Sequence, residues 1–179
     1  MIKPEIVAPG VVSVTHGNRF MLGEPDGSKS DRVRALAEAM SNAGFKAPVR
    51  KKIRDDIWFK LLGNCTFNPV SVLTGATLEG MGKDPGVRGL IRQMMTEAQA
   101  VGTALGVRFA MDVDKRIDGG TAVGAHKTSM LQDLEAGRPL ELDALVASDT
   151  ELGRLVHVPT PTIDLVLTLA RLREHQGNN

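Results

Sequence analysis

DDIWFKLLGNCTFNP, running from Asp55 to Pro69, is the stretch on which the reading of this chain turns. Within it Lys60, Asn64 and Asn68 stand four residues apart. On an α-helix, successive i, i+4 positions advance about 40° round the axis and ~6 Å along it, so the three polar heads form a row about 12 Å long. Trp58, Leu61, Leu62 and Cys65 gather on another arc, roughly 110° away. The segment is therefore expected to be a helix with a core stripe and a separate polar one. An ammonium beside two amides suits a small carboxylate or a carbonyl oxygen. It equally suits ordinary solvated surface, where lysine and asparagine are common. Spacing alone leaves both readings open.

Downstream the pattern stays helical. Leu90, Ile91, Met94, Met95, Ala98, Val101 and Leu105 form one long apolar stripe on a helix expected from Val87 to Gly106. Such a stripe faces a core or a second copy, and its period does not distinguish the two. Leu142, Leu145, Val146, Leu152 and Val156 mark a further helix. Thr160 and Pro161 read as the N-cap and first turn of a last one reaching about Glu174, with the tail Gly177, Asn178 and Asn179 expected to fray. Between these lies KTSMLQDLEAGRPLELD, Lys127 to Asp143. Ser129 opens a short helix there, Gly137 and Pro139 close it, and Glu141 begins the next. Both polar residues lie near helix starts, where donors are free, so each either caps a helix or is turned toward a common site.

Upstream, VVSVTHGNRFMLG, Val11 to Gly23, reads as a β-hairpin turning at Gly17 and Asn18. Val33, Leu36, Ala37 and Met40 predict an amphipathic helix from Asp31 to Ala43, stopped by Gly44. A short extended run, Phe45 to Val49, then meets the basic stretch Arg50, Lys51, Lys52, read as a boundary. The expected architecture is mainly α: residues 1–50 hold a hairpin, a helix and a strand, like the remnant of a sheet domain, and residues 51–179 are all helical.

Composition narrows the function. With 179 residues, 42% of them hydrophobic, the chain can bury a sizeable core. Lys plus Arg number 22 against 21 for Asp plus Glu, which gives no global field to draw it to nucleic acid or to an anionic membrane. Cys65 is the single cysteine, which excludes a disulfide framework. It lies on the apolar arc and is expected to be a buried, inert thiol. No apolar run approaches the ~18 residues of a membrane span, and a cytoplasmic address is expected. His16, His126, His157 and His175 are scattered, so no metal site is expected. No glycine fingerprint for a dinucleotide follows a strand. The nearest string, Gly80, Met81, Gly82 with Gly86 beyond, has the wrong spacing and reads as a loop before the long helix. The cluster Arg50, Lys51, Lys52, Arg54 is taken as a solvated linker.

WFKLLGNCTFNP, Trp58 to Pro69, followed some sixty residues later by TSMLQDLEAGRPLELD, Thr128 to Asp143, resembles the paired signature of the ketopantoate reductase family. The likeness runs from about Pro9 to Arg173, and GVVSVTHGNRFMLGEP, Gly10 to Pro25, resembles the last strands of that family's nucleotide-binding domain. It implies an all-helical domain of the 6-phosphogluconate dehydrogenase C-terminal-like type, preceded by a remnant of a Rossmann domain. It also implies NADPH-dependent reduction of a 2-oxo acid, 2-dehydropantoate (ketopantoate) to pantoate, in pantothenate and coenzyme A biosynthesis. The lysine matching Lys60 would protonate the carbonyl oxygen as hydride reaches the keto carbon. The residues matching Asn64, Asn68 and Ser129 would hold the substrate, and Glu141 would contact the cofactor or the lysine network. NADPH would be held mainly by an N-terminal domain outside this chain, which alone is expected to be inactive. The chain departs from the family at His126, three residues before Ser129, where the family sometimes has an asparagine, and around Thr77 and Leu78, about ten residues after Asn68, where the resemblance implies a substrate-side asparagine. Two other readings are a helical homodimerisation module without activity and a related two-domain dehydrogenase with another 2-oxo acid.

Overall fold

The structure, a computed structural model, describes residues 3–177. The chain divides into two compact units, Met1–Asp56 and Ile57–Asn179. In the first, β1 (Lys3–Ala8) and β2 (Val11–His16) form an antiparallel ribbon. Pro9 and Gly10 make the turn, with Gly10 at φ 75°, the Pro-Gly order that a type II turn favours.

The expected hairpin from Val11 to Gly23 is therefore displaced. Gly17, at φ 77°, ends β2, and the chain beyond it does not fold back on β2. Arg19 and Leu22 instead pair in parallel with Lys46 and Val49, across α1 (Asp31–Asn42). Phe20 N donates to Lys46 O at 2.8 Å and Arg50 N to Leu22 O at 2.7 Å. Parallel pairing needs such a crossover, and α1 supplies it. Ser30 caps α1 by accepting from Val33 N, and its hydroxyl also donates to Glu24. Glu24 is held near pKa 2 by the Arg32 guanidinium first and the Ser30 hydroxyl second. The basic residues Arg50, Lys51, Lys52 and Arg54 are all exposed, and two of them make surface contacts: Arg50 forms a two-point ion pair with Asp56, and Arg54 Nε donates to Pro25 O at 3.0 Å.

The second unit is helical, as its apolar periods predict. Its elements are α2 (Ile53–Thr74, which begins in the first unit), α3 (Leu78–Lys83), α4 (Pro85–Ala104), α5 (Val113–Thr121) and α6 (Ser129–Glu135). A π-helical turn, Asp143–Ala147, runs straight into α7 (Ser148–Leu155), and α8 (Pro161–Gly177) closes the unit. The expectation for Asn178 and Asn179 lies outside the described residues. The glycine string expected as a loop is helix α3, with Met81 fully buried. A Cβ on Gly82 would come within 2.6 Å of Thr121 Cβ, so the missing side chain lets α3 and α5 meet closely.

The long stripe faces the core. Ile91, Met94, Met95 and Ala98 are 0% exposed and packed with Cys65, Ile117, Val146 and Ile163; Val101, also 0% exposed, packs with Trp58 and Val107, while Leu105, past the helix end, is exposed. Burying such side chains, at about 1.5–3 kcal/mol each, drives the bundle together. Among the described residues no helix is long and apolar enough to cross a membrane.

Thr160 stands at the N-cap position of α8 as expected, its carbonyl accepting from Asp164 N at 2.9 Å, but the free N–H groups are met by another side chain. Glu97, reaching from α4, accepts from Thr162 N at 3.0 Å and Ile163 N at 3.1 Å, while the Thr160 hydroxyl donates to Asp164. A carboxylate at a helix start satisfies free N–H groups and complements the dipole, which a hydroxyl does only in part. At the end of α7, Val158 N returns to Gly153 O and His157 N to Arg154 O, a Schellman arrangement. His157 occupies its left-handed position at φ 57°. Since a side chain there costs about 1 kcal/mol relative to glycine, His157→Gly is expected to stabilise the chain by about that amount in urea unfolding. An unchanged midpoint would count against this strain.

Candidate active site

Lys60, Asn64 and Asn68 all lie on α2, four residues apart as predicted. Their burial is graded: Lys60 is exposed, Asn64 half-buried, and Asn68 only 5% exposed. The polar row is thus not a surface stripe separate from the core. It starts in solvent at Lys60 and runs inward, because α2 is buried almost all round from Leu62 to Val72. Asn68 Nδ2 is buried and has no hydrogen-bond partner among the described residues. A buried donor left unmade costs about 1–3 kcal/mol, so it is unusual in a purely structural asparagine.

α6 docks on the inner end of this row. Leu131 N donates to Thr128 Oγ1 at 3.2 Å, the Thr128 and Ser71 hydroxyls meet at 2.5 Å, and the Ser71 hydroxyl donates to Asn68 O at 2.7 Å. The chain of donors is internally consistent: each hydroxyl gives one proton and accepts another. It makes Thr128 the cap of α6, not Ser129. Ser129 is the exposed first residue of that helix, next to the link that ties the helix to Ser71, one turn beyond Asn68. Glu141 stands just before the helical turn at Leu142, its carbonyl accepting from Leu145 N at 3.0 Å. Its carboxylate is exposed, and among the described residues no hydrogen bond or ion pair joins it to the α2 row.

His126 and Thr77–Leu78 prove to be neighbours. Leu78 N donates to His126 O at 2.9 Å and Glu79 N to Gly124 O at 3.1 Å, so the two departures form one wall beside α6. Cys65 is fully buried, and burial first, then the nearby Asp149, pushes its thiol pKa up, as befits an inert thiol.

Two charged groups here were not foreseen from the sequence. Arg116, on α5, lies against the opposite flank of α2. Its guanidinium is 4.8 Å from the Phe59 ring centre, and a Cβ on Gly63 would fall 2.3 Å from Nη2. Asp149, on α7, is 0% exposed, and among the described residues neither carboxylate oxygen is hydrogen-bonded. Burial, and then the charge of Glu97, raises its pKa from 3.8 to about 7.

With this geometry in hand, comparison with known proteins is informative. Residues 52–174 match the family described as ketopantoate reductase PanE/ApbA C terminal. The chain belongs to the ketopantoate reductase family. A 2-dehydropantoate 2-reductase of Mesorhizobium japonicum is 60% identical over 167 residues, covering 93% of this chain and 51% of that protein. Among solved structures, a ketopantoate reductase of Ralstonia solanacearum MolK2 superposes with a TM-score of 0.91 at 43% identity, covering 98% of this chain and 53% of the other. The 2-dehydropantoate 2-reductase of Methylococcus capsulatus gives 0.90 at 32% identity, over 100% and 58%. The chain thus spans about half the length of the ketopantoate reductases it matches, and its fold is the helical domain of that family.

Proposed function

We propose that this chain is the substrate-holding half of an NADPH-dependent 2-oxo-acid reductase that converts 2-dehydropantoate to pantoate, with residues 1–50 belonging to its nucleotide-binding domain. The observation that carries the reading is the buried, unpartnered Nδ2 of Asn68, two helical turns inward from an exposed lysine on the same row. A donor of this kind is satisfied by a substrate oxygen. Asn64, half-way along, and Ser129, at the start of the docked helix, add donors that orient a carboxylate and a hydroxyl.

NADPH, when bound, supplies the hydride. Lys60 would then give its proton to the keto oxygen as negative charge develops there, an ammonium being both donor and countercharge. Glu141 is an exposed acceptor-only group, which fits a ribose hydroxyl or the Lys60 ammonium and does not fit a phosphate. The π-helical turn that follows it is a local irregularity of a type frequent at functional sites. The cytoplasm is the setting such a biosynthetic enzyme would have, and a homodimer is compatible with it.

The wall made by His126 and Thr77–Leu78 favours a second possibility for the substrate alone: a 2-oxo acid whose far end differs from that of ketopantoate. The test is NADPH oxidation by the chain joined to its nucleotide-binding half, with ketopantoate and a panel of branched and aromatic 2-oxo acids. Ketopantoate is expected to be the best substrate, and Asn68→Ala to raise its KM by roughly tenfold or more. Preference for another acid would move the substrate assignment, and inertness toward all would sink the reductase reading.

A further inference from the structure

We propose that Arg50 is a positioning residue for the proton donor: its guanidinium takes up the carboxylate of Asp56, which would otherwise pair with the Lys60 ammonium. This rests on the reading of Lys60 as the donor. The polar row on α2 extends one step further outward than Lys60. Asp56, Lys60, Asn64 and Asn68 follow one another at four-residue spacing, so Asp56 is the neighbour of Lys60 on the side away from Asn64. An acid four residues ahead of a lysine is also the favoured order for an ion pair on a helix. Among the described residues that pair is not made. Lys60 has no ion pair there, and Asp56 is held by Arg50, Nε to Oδ2 at 2.7 Å and Nη2 to Oδ1 at 3.2 Å.

Two features give the Arg50 fork the advantage. It meets both carboxylate oxygens at once, whereas an ammonium is a point charge. Its backbone is also fixed, since Arg50 N donates to Leu22 O at 2.7 Å beside the Leu22–Val49 pairing, so less freedom is lost in presenting the fork to the first turn of α2. Asp56 is the more enclosed partner, its side chain 18% exposed against 47% for Arg50. Lys52, the cation four residues before Asp56, precedes the helix and stands in the less favoured order. The consequence for catalysis is specific. A carboxylate beside an ammonium pulls it toward itself and favours its charged form, which makes it a poorer acid. With Asp56 engaged by Arg50, the Lys60 ammonium is left to face the keto oxygen. Arg50 thus acts through Asp56, not on the substrate.

On this chain the test is NMR: nuclear Overhauser contacts between the Asp56 Hβ and Lys60 Hε protons are expected to be absent in the parent and present in Arg50→Gln. In the two-domain protein, Arg50→Gln is expected to lower kcat with ketopantoate about two- to threefold, the share of the lysine lost to an exposed i, i+4 pair, and to leave KM within about twofold. Asp56→Asn should keep the parental kcat, and Arg50→Gln combined with Asp56→Asn should restore it. All three variants lose the Arg50–Asp56 pair, so a merely structural role would lower kcat in all of them alike. The defect of Arg50→Gln should also fade in about 1 M salt, where charges are screened within about 3 Å. An Asp56–Lys60 contact in the parent, a parental kcat in Arg50→Gln, or a defect that Asp56→Asn does not repair overturns the proposal. Should Arg50→Gln not fold, Arg50→Lys, which keeps the charge and loses the fork, decides: part of the loss is expected, and a parental kcat overturns the proposal. If the two-domain protein reduces no 2-oxo acid while the contact appears in Arg50→Gln, the proton-donor reading fails and the shielding of Lys60 by Arg50 stands.

Discussion

Asp149→Asn is expected to stabilise the chain by about 4 kcal/mol at pH 8 and by almost nothing at pH 4. The carboxyl of Asp149 is fully buried, neither oxygen has a partner among the described residues, and burial first and Glu97 second lift its pKa from 3.8 to about 7. The sign follows from where the proton sits. Below pH about 4 the group is neutral in folded and unfolded chains alike, and folding pays no ionisation penalty. Between about 4 and 7 only the unfolded chain ionises, so stability falls as pH rises, and above 7 the full penalty applies. At about 1.4 kcal/mol for each tenfold change in proton concentration, the displacement amounts to about 4 kcal/mol. Asparagine keeps the shape and removes the charge. Urea unfolding of both proteins between pH 4 and 8 measures the difference; a gap that stays constant over that range would show that Asp149 does not ionise in this interval.

The sequence carries a signal for Asp149. Leu142, Leu145, Val146, Leu152 and Val156 place position 149 in the middle of the apolar stripe, four residues after Leu145 and three before Leu152. An acid in that register is either a break in the helix or a buried charge, and the structure shows the second. Helices were legible where apolar period and stop signals agreed, as in α1, α4 and α8. The hairpin was misplaced because Gly17–Asn18 and Pro9–Gly10 are both competent turns, and only the parallel pairing of Arg19–Leu22 with Lys46–Val49, a contact distant in sequence, decides between them.

In the site, spacing placed Lys60, Asn64 and Asn68 on one face, but it could not foretell that the face sinks from solvent into the core. That gradient depends on what packs around α2. Ser129 opens α6 as its position in the sequence implies, while the capping hydroxyl is that of Thr128, one residue earlier, which is tied to Ser71. Arg116 carried no sequence signal: Asp114 and Asp118 face α4 and leave it against α2, which only the folded arrangement reveals.

The largest effect of all is expected at Lys60. Loss of a positioned proton donor lowers a rate by about 10²- to 10⁴-fold. Lys60 is exposed, and among the described residues no ion pair or hydrogen bond holds it, so Lys60→Ala should change stability by no more than about 0.5 kcal/mol. Rate and fold are therefore separable here in a way they are not at Asn68, whose side chain is buried. If the ammonium acts mainly on the developing alkoxide, kcat and kcat/KM should fall together. A rise in KM at constant kcat would instead mark Lys60 as a binding group.

The measurement that bears most directly on this account is NADPH oxidation by the two-domain protein with ketopantoate, parent beside Lys60→Ala, with both melting temperatures recorded. The account predicts equal melting temperatures and a loss of kcat of about 10²-fold or more in the variant. A variant that turns over as fast as its parent would contradict it, and would leave this chain with the family's fold but without the proposed proton donor.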